Sequence, residues 1–257
     1  MKFDHILKAL APVLAVALAA SVAGCDKAAF KINGEEGKKL ADLDLTGTPP
    51  NELVLLGPDQ VDVKQGDKLA ITVDGDAEAV AAVRFALGED SLSILRENTS
   101  WSDKGRAVVH ITMPAPREVT IAGSGTVKAE ALAPGAKITI AGSGLVETAS
   151  VSGDSLEVTL PGSGSVRAAG NVGKLDLTIL GSGSAYLDAV KAGSAKVTIA
   201  GSGGAAFASD GEVEATIMGS GTVTVKGRAR CKVSAMGSGT LVCETPVETA
   251  NPAKSPT

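Results

Sequence analysis

The chain has 257 residues, 24 of them basic and 29 acidic, for a formal net charge of −5 at neutral pH. Only 2% of the residues are aromatic, so any core must be thin and built from Val, Ile, Leu and Ala. No basic block exists to recruit nucleic acid or anionic head groups, which excludes an electrostatically driven nucleic-acid binder.

In chain order, residues 1–8 carry Lys2 and Lys8, residues 9–20 are almost wholly apolar, and Val22-Ala23-Gly24-Cys25 follows. A basic start, a short apolar run and small residues at its end form a secretory signal, too short for a good membrane span. The Val-Ala-Gly-Cys ending resembles a bacterial lipoprotein signal with its lipobox. That resemblance implies that residues 1–24 are removed and that Cys25 becomes the lipidated, palmitate-bearing N-terminus. An ordinary cleaved signal or a retained anchor helix is the alternative. Removal of Lys2, Lys8 and Asp4 takes the net charge to −6. No other long apolar run exists, so the body reads as soluble and held at a membrane by its lipid. Asp26 resembles the inner-membrane retention signal of some enteric bacteria, and the choice between inner and outer membrane stays open.

Residues 25–48 read as a polar tether, with 40–46 strand-like. Residues 49–116 are β-like but not periodic, with strands expected at 53–56, 61–64, 68–73, 82–87, 92–96 and 107–113. Gly66-Asp67, Asp74-Gly75-Asp76 and Gly88-Glu89-Asp90 are turn signals. The stretch 63–67 joins two strand patterns and reads as a hairpin. Asp74-Gly75-Asp76 lacks the oxygen-ligand spacing of a calcium loop and is a solvated turn. His110, the one histidine after residue 24, lies in a strand pattern and reads as a strand-face residue rather than a base. Trp101 sits in a polar stretch, either folded back over an open end of the fold or exposed to stack on a sugar ring.

From residue 117 to 244 the chain repeats. Gly-Ser-Gly occurs seven times, beginning at Gly123, Gly142, Gly162, Gly181, Gly201, Gly219 and Gly237, at steps of 19, 20, 19, 20, 18 and 18 residues. An apolar-Thr-apolar strand precedes the first six copies, and Val233-Ser234-Ala235 precedes the last. A strand, a glycine corner and a second strand at this period describe one turn of a β-solenoid. Seven turns at ~4.8 Å make a rod of roughly 30 Å, and residues 49–116 are expected to cap its N-terminal end. Aligned on the first glycine, the turns form columns. Residues four and two before it point inward. The Thr column points outward, as does a charge column of Glu118, Lys137, Glu157, Asp176, Lys196, Glu214 and Lys232. On the other side of the corner an outward column starts Lys128, Glu147 and Arg167, again alternating in sign. Ser124, Ser143, Ser163, Ser182, Ser202, Ser220 and Ser238 line the corner. They are expected to satisfy backbone groups of the next turn through their hydroxyls, or else to form a polar ridge that binds glycan.

Cys231 and Cys243 lie six residues before and six after Gly237, both with inward parity in the last turn. With Cys25 reserved for lipid, they form an even pair in a compartment that permits disulfides, so a bridge or two buried thiols is expected. Residues 245–257 hold Pro246, Pro252 and Pro256 among small polar residues and read as a disordered tail.

Asp62-Val63-Lys64-Gln65-Gly66-Asp67, then 69–73, Leu92-Ser93-Ile94 and Val119-Thr120-Ile121-Ala122-Gly123-Ser124-Gly125 resemble the auto-transporter adhesin "head GIN domain" family of bacterial envelope proteins. The likeness runs from about residue 43 to 242. It implies a β-helical fold and an adhesive or envelope role, and it supplies no catalytic residues.

The residues agree with that last point. No His, Cys or carboxylate cluster has zinc spacing, no Gly-Lys-Ser/Thr follows any Gly-Ser-Gly, and no Gly-x-Ser-x-Gly elbow is present. No catalytic residue, metal or cofactor is expected. The expectation is an all-β, non-enzymatic, lipid-anchored cell-envelope protein whose rigid surface binds an envelope protein or glycan. A polysaccharide-binding or polysaccharide-processing β-helix is the alternative. An ice-like template would need a second parallel Thr column, which Ala122, Ala141, Pro161, Leu180, Ala200, Met218 and Met236 do not provide.

Overall fold

The structure, a computed structural model, describes residues 31–32, 35–97 and 105–244. The expected signal peptide, Cys25, Trp101 and the tail at 245–257 lie outside the described residues. The chain opens with β1 (Lys31–Ile32), β2 (Glu35–Glu36) and a 3₁₀ turn at Leu40–Asp42. β3 (Glu52–Leu56), β4 (Gln60–Gln65), β5 (Ala70–Gly75), α1 (Ala77–Ala82), β6 (Val83–Leu87), β7 (Ser91–Arg96) and β8 (Ala107–Met113) follow. The repeats supply β9 (Glu118–Gly123), β10 (Thr126–Ala129), β11 (Lys137–Gly142), β12 (Leu145–Gly162), β13 (Ser165–Gly181) and β14 (Ser184–Gly201). They end in β15 (Gly204–Ser209), β16 (Glu212–Gly219), β17 (Thr222–Lys226), β18 (Arg230–Gly237) and β19 (Thr240–Glu244).

These strands form a β-solenoid of about seven turns. The strand before each Gly-Ser-Gly stacks in parallel on the one before the next copy, with Ile138 on Val119 and Val158 on Ile138. This makes a leading wall. The strands after each corner stack likewise into a trailing wall, with Val146 on Val127 and Val166 on Val146. In the middle turns, residues 151–155, 170–174 and 190–194 add a third side. The register shifts where the chain bends between the trailing wall and that side, and the difference between 19- and 20-residue steps is absorbed there. Alternation along each strand sends Ile121, Ile140, Leu160, Ile179, Ile199 and Ile217 into one fully buried column. Burying each such side chain contributes about 1.5–3 kcal/mol. The Thr column faces outward by parity, yet Thr139 and Thr159 are only 4% exposed because their neighbours above and below shade them.

Each corner brings the backbone against the turn beneath. At Gly181, φ is +129°, and a Cβ would stand 2.6 Å from the Gly162 carbonyl oxygen. The third residue of the corner needs glycine for a different reason: at Gly203 a Cβ would point inward, 2.5 Å from Ile179 Cγ2. The Ser hydroxyls do not build the ladder expected of them. The backbone N–H of Ser143, Ser163 and Ser182 donates to Gly123, Gly142 and Gly162 at 2.9, 2.9 and 3.0 Å. The positive φ of the glycine turns its carbonyl toward the next corner. The corner hydroxyls are left exposed, and among the described residues none bonds within the chain.

Residues 49–116 close the N-terminal end by an out-of-order arrangement. β3 lies between β7 and β9, and β4 between β8 and β10, all in parallel. The chain therefore starts one layer inside the stack, descends to lay β7 and β8 beneath, and returns to climb. The hairpin expected at 63–67 does not form. Both edges of β4 are taken by β8 and β10, so β5 pairs antiparallel with the far edge of β8. β6 pairs antiparallel with β7, and its outer edge takes a bridge from Lys38. Residues 77–82 form α1, where the sequence suggested only a strand beginning at 82. The strand-like stretch 40–46 is instead a 3₁₀ turn and a coil. Leu40, Leu43 and Leu45 pack on the core while Asp44 accepts hydrogen bonds from the Thr46 N–H and hydroxyl.

In the layer formed by β3 and β4, Gly57-Pro58-Asp59 stands in line with Gly123-Ser124-Gly125. Asp59 replaces the inward glycine, and its carboxylate, 1% exposed, meets the equally buried Arg96 with Nε–Oδ2 at 2.8 Å. Asp59 Oδ1 also accepts from the Ala107 N–H, and Arg96 donates to the Gly105 carbonyl, both at 2.8 Å. One ion pair thus ties both sides of the long connection between β7 and β8.

Among the described residues nothing covers the C-terminal end. Val233 in the last turn is 49% exposed, whereas its column partner Ala215 is fully buried. Cys231 and Cys243 are joined by a disulfide across this turn, with Cα atoms 6.7 Å apart, above the buried Val213 and Val225.

Gly181→Val is expected to destabilise by about 3 kcal/mol or more, from left-handed strain and the carbonyl clash, and Thr178→Val by no more than about 0.5 kcal/mol. Thermal melts of the two variants check this. Asp59→Ala leaves Arg96 buried and unpaired and is expected to cost about 3–5 kcal/mol in denaturant unfolding. The two cysteines are 12 residues apart. Closing a loop of that size contributes roughly 3 kcal/mol in the chain-entropy model, so reduction is expected to lower the melting temperature measurably.

Candidate functional site

Side chains on the outer face of the trailing wall form a line that the sequence shows only in part. Lys128, Glu147 and Arg167 follow one another on β10, β12 and β13, and Tyr186 on β14 comes next. The out-of-order layers extend the line at its other end, since Asp62 pairs with Lys128 and His110 with Asp62. His110 sits between two carboxylates, with Nδ1 3.4 Å from Asp62 Oδ2 and Nε2 3.5 Å from Asp74 Oδ2. It is a strand-face residue, and Asp74 lies in the solvated turn region at the end of β5.

Arg167 makes two contacts that lie across its own strand. Its Nη1 is 3.1 Å from Glu147 Oε1, and its guanidinium lies over the Tyr186 ring, 5.1 Å from the centroid. The parallel in-register stack forces both, because it holds successive side chains of a column about 4.8 Å apart. Tyr186 remains 47% exposed.

Beside this line the next outward position falls to Ala149 and Ala169, and the step from long charged side chains to methyl groups opens a groove. The groove holds about 680 Å³, with Asp62, Lys64, Lys128, Glu130, Glu147 and Arg167 along it. Farther along the wall, Lys226 Nζ lies 2.7 Å from Asp188 Oδ1, and that hydrogen bond raises the ammonium above its ordinary range. The groove is open along its length and lined by both signs of charge. It suits an extended polar chain lying along a rigid wall. Lys128 separates Asp62 from Glu147 along the line, and Glu147 is paired with Arg167.

Of the residues singled out in the sequence, the corner glycines and serines fall in one ridge between the two walls, away from the groove floor. Cys231 and Cys243 lie at the C-terminal end. Among the described residues, no group of His, Cys, Asp and Glu is placed to hold a metal, and no helix is long and apolar enough to cross a membrane. The sequence reading missed Asp62 as the neighbour of Lys128 and His110 as the neighbour of Asp62. Tyr186 was within reach of it, as the next member of the column begun by Lys128, Glu147 and Arg167.

A family model described as "Putative auto-transporter adhesin, head GIN domain" matches residues 49–229. The match stops before β18, so the last turn and its disulfide lie beyond it. No curated protein matches the chain. Among solved structures, the chain is similar to a "putative adhesin" from Bacteroides fragilis at 19% identity, with a TM-score of 0.66. A "putative adhesin" from Parabacteroides merdae is also 19% identical, with a TM-score of 0.60. A "putative lipid binding protein" from Parabacteroides distasonis is 20% identical, with a TM-score of 0.59. Each alignment covers 77% of this chain and 93% of the other. At these identities the likeness establishes the shared fold.

Proposed function

Given that the chain belongs to the family described as "Putative auto-transporter adhesin, head GIN domain", we propose that it is a non-catalytic envelope protein that binds an extended ligand along its trailing wall. One observation carries this reading. Arg167 lines an open groove and lies over the Tyr186 ring beside it, and that ring stays 47% exposed on the outer face of the wall. A binding protein needs a surface that is rigid before the ligand arrives, because ordering side chains and loops on binding costs affinity. In-register stacking supplies that rigidity. Anchoring belongs to the same proposal: the lipobox-like ending at Cys25 supports a lipid at the start of the mature chain.

A second reading narrows the ligand to a polysaccharide, and Tyr186 favours it. A half-exposed aromatic ring near charged and hydroxyl side chains, Arg167, Ser165 and Ser184 among them, suits a sugar ring with its apolar face down and its hydroxyls outward. The mixed charges of the groove favour holding such a chain over cleaving it.

A glycan array and an envelope pull-down with the mature protein test the reading. Tyr186→Ala is expected to weaken capture about tenfold while the melting temperature stays unchanged, since the ring is half-exposed. Capture that survives both Tyr186→Ala and Arg167→Ala moves the site off this wall. Cys25→Ala is expected to shift the protein from the membrane to the soluble fraction of cells, and unchanged fractionation removes the lipid anchor from the proposal.

A further inference from the structure

We propose that the leading wall is the contact surface of a two-fold dimer of this chain. Two copies pack wall to wall with their solenoid axes antiparallel, and the two-fold axis runs along the central strand, residues 176–181. This surface is separate from the groove on the trailing wall.

The first argument is the order of charges at the edge of the leading wall. The column reads Glu118, Lys137, Glu157, Asp176, Lys196, Glu214, Lys232, with successive members in register on successive strands. Strict alternation over seven turns would read the same from either end, and antiparallel copies would then set like charge on like. The column breaks alternation once, where Glu157 neighbours Asp176. Within one chain that break is a cost, because like charges on adjacent strands repel. Between antiparallel copies it has the opposite effect. Glu118 then faces the second copy's Lys232, Lys137 faces the second copy's Glu214, and Glu157 faces the second copy's Lys196. Two-fold symmetry makes each of these pairs twice. Asp176 falls on the axis opposite itself, and there its charge is met within the chain by Lys174 Nζ, 2.9 Å from Oδ2. Copies related by a two-fold axis parallel to the rods would run their strands in opposite directions, and the two charge columns would not face each other.

The second argument is the order of sizes in the column next to the corner. It runs Ala122, Ala141, Pro161, Leu180, Ala200, Met218, Met236, small at one end and long at the other. The same antiparallel register sets Met236 on Ala122, Met218 on Ala141 and Leu180 on itself. Long, adaptable side chains thus fill the space left by methyl groups. Met236 is 65% exposed in the single chain and gains a partner in this arrangement.

The third argument is area. A wall of seven strands, six residues wide, presents about 650 Å² on each copy and about 1,300 Å² together, above the roughly 1,000 Å² that a specific interface needs. The trailing wall lacks the same design. Reversing its column of Lys128, Glu147, Arg167, Tyr186, Ala206, Thr224 and Val242 opposes no two charges of unlike sign. Glu52, one layer below Glu118, lies outside the seven-turn overlap.

Sedimentation equilibrium of the full chain in a density-matched detergent tests the dimer. The native chain is expected to be dimeric, and Leu180→Arg, which sets two guanidinium groups on the axis, is expected to be monomeric. Glu157→Lys and Lys196→Glu are each expected to weaken the dimer at least tenfold. The two together are expected to restore it. That rescue distinguishes the interface from effects within the chain, because the double swap puts like charges beside Lys137 and Glu214 on adjacent strands. Circular dichroism melts establish that each variant is folded, and Ala141→Arg, opposite Met218, replaces Leu180→Arg if the latter is not. A native chain that is monomeric at every attainable concentration overturns the proposal. So does a dimer indifferent to both arginine substitutions, or a double swap that stays dissociated.

Discussion

At every Gly-Ser-Gly corner of this solenoid the backbone passes so close to the turn beneath that one added methyl group would strike a carbonyl oxygen. That approach is the constraint from which the rest follows. It requires a residue without a Cβ, in a backbone conformation open to glycine, and it lets the following N–H bond straight down to the previous corner. With the corner pinned in this way, each strand stacks on its own copy in the next turn without slipping. A slip of one residue would turn every inward Ile or Val to solvent. The outward columns inherit their order from the same lock.

A structure of this kind separates what stabilises it from what it displays. The inward columns are apolar and nearly uniform, and they hold the rod together. Outward side chains meet chiefly their neighbours in the same column, about 4.8 Å above and below, and a few at adjacent outward positions. Their identity can therefore change from turn to turn at little cost to the fold. The two walls use this freedom differently. The leading wall is flat, rich in Thr and small apolar side chains, and edged by charge. The trailing wall carries long charged side chains beside a row of alanines, and so has a groove with an aromatic side chain close by.

A stack of strands also has two ends, each presenting unpaired edges. The ends here are managed by different physics. At the first, antiparallel β5 and β6 turn the chain back on the parallel stack, and the Asp59–Arg96 pair holds the layer whose corner departs from Gly-Ser-Gly. Buried charges of this sort add little net stability, but they give the irregular layer one geometry, since any other leaves a charge without a partner. At the second end no layer of the described residues lies above, and Val233, Met236 and Val242 stand exposed. There the covalent link between Cys231 and Cys243 constrains the turn that stacking holds on one side only.

The sequence by itself determined the solenoid, its seven Gly-Ser-Gly turns, its inward and outward columns and the trailing-wall series from Lys128 to Arg167. It did so because in a parallel in-register stack the contact partner of a residue is its own counterpart one period away, and the period is printed in the chain. It also placed Cys231 and Cys243 on the same side of one turn. Only the tertiary structure decided what lies outside the period. β3 and β4 enter between layers that follow them in the chain, which sets Asp62 beside Lys128 and His110 beside Asp62. It also brings Asp59 onto Arg96 and parts β4 from β5 where a hairpin was expected. No local pattern encodes such pairings. They depend on which strand edges remain free once the rest of the stack has formed, and that is a property of the assembled layers rather than of any segment.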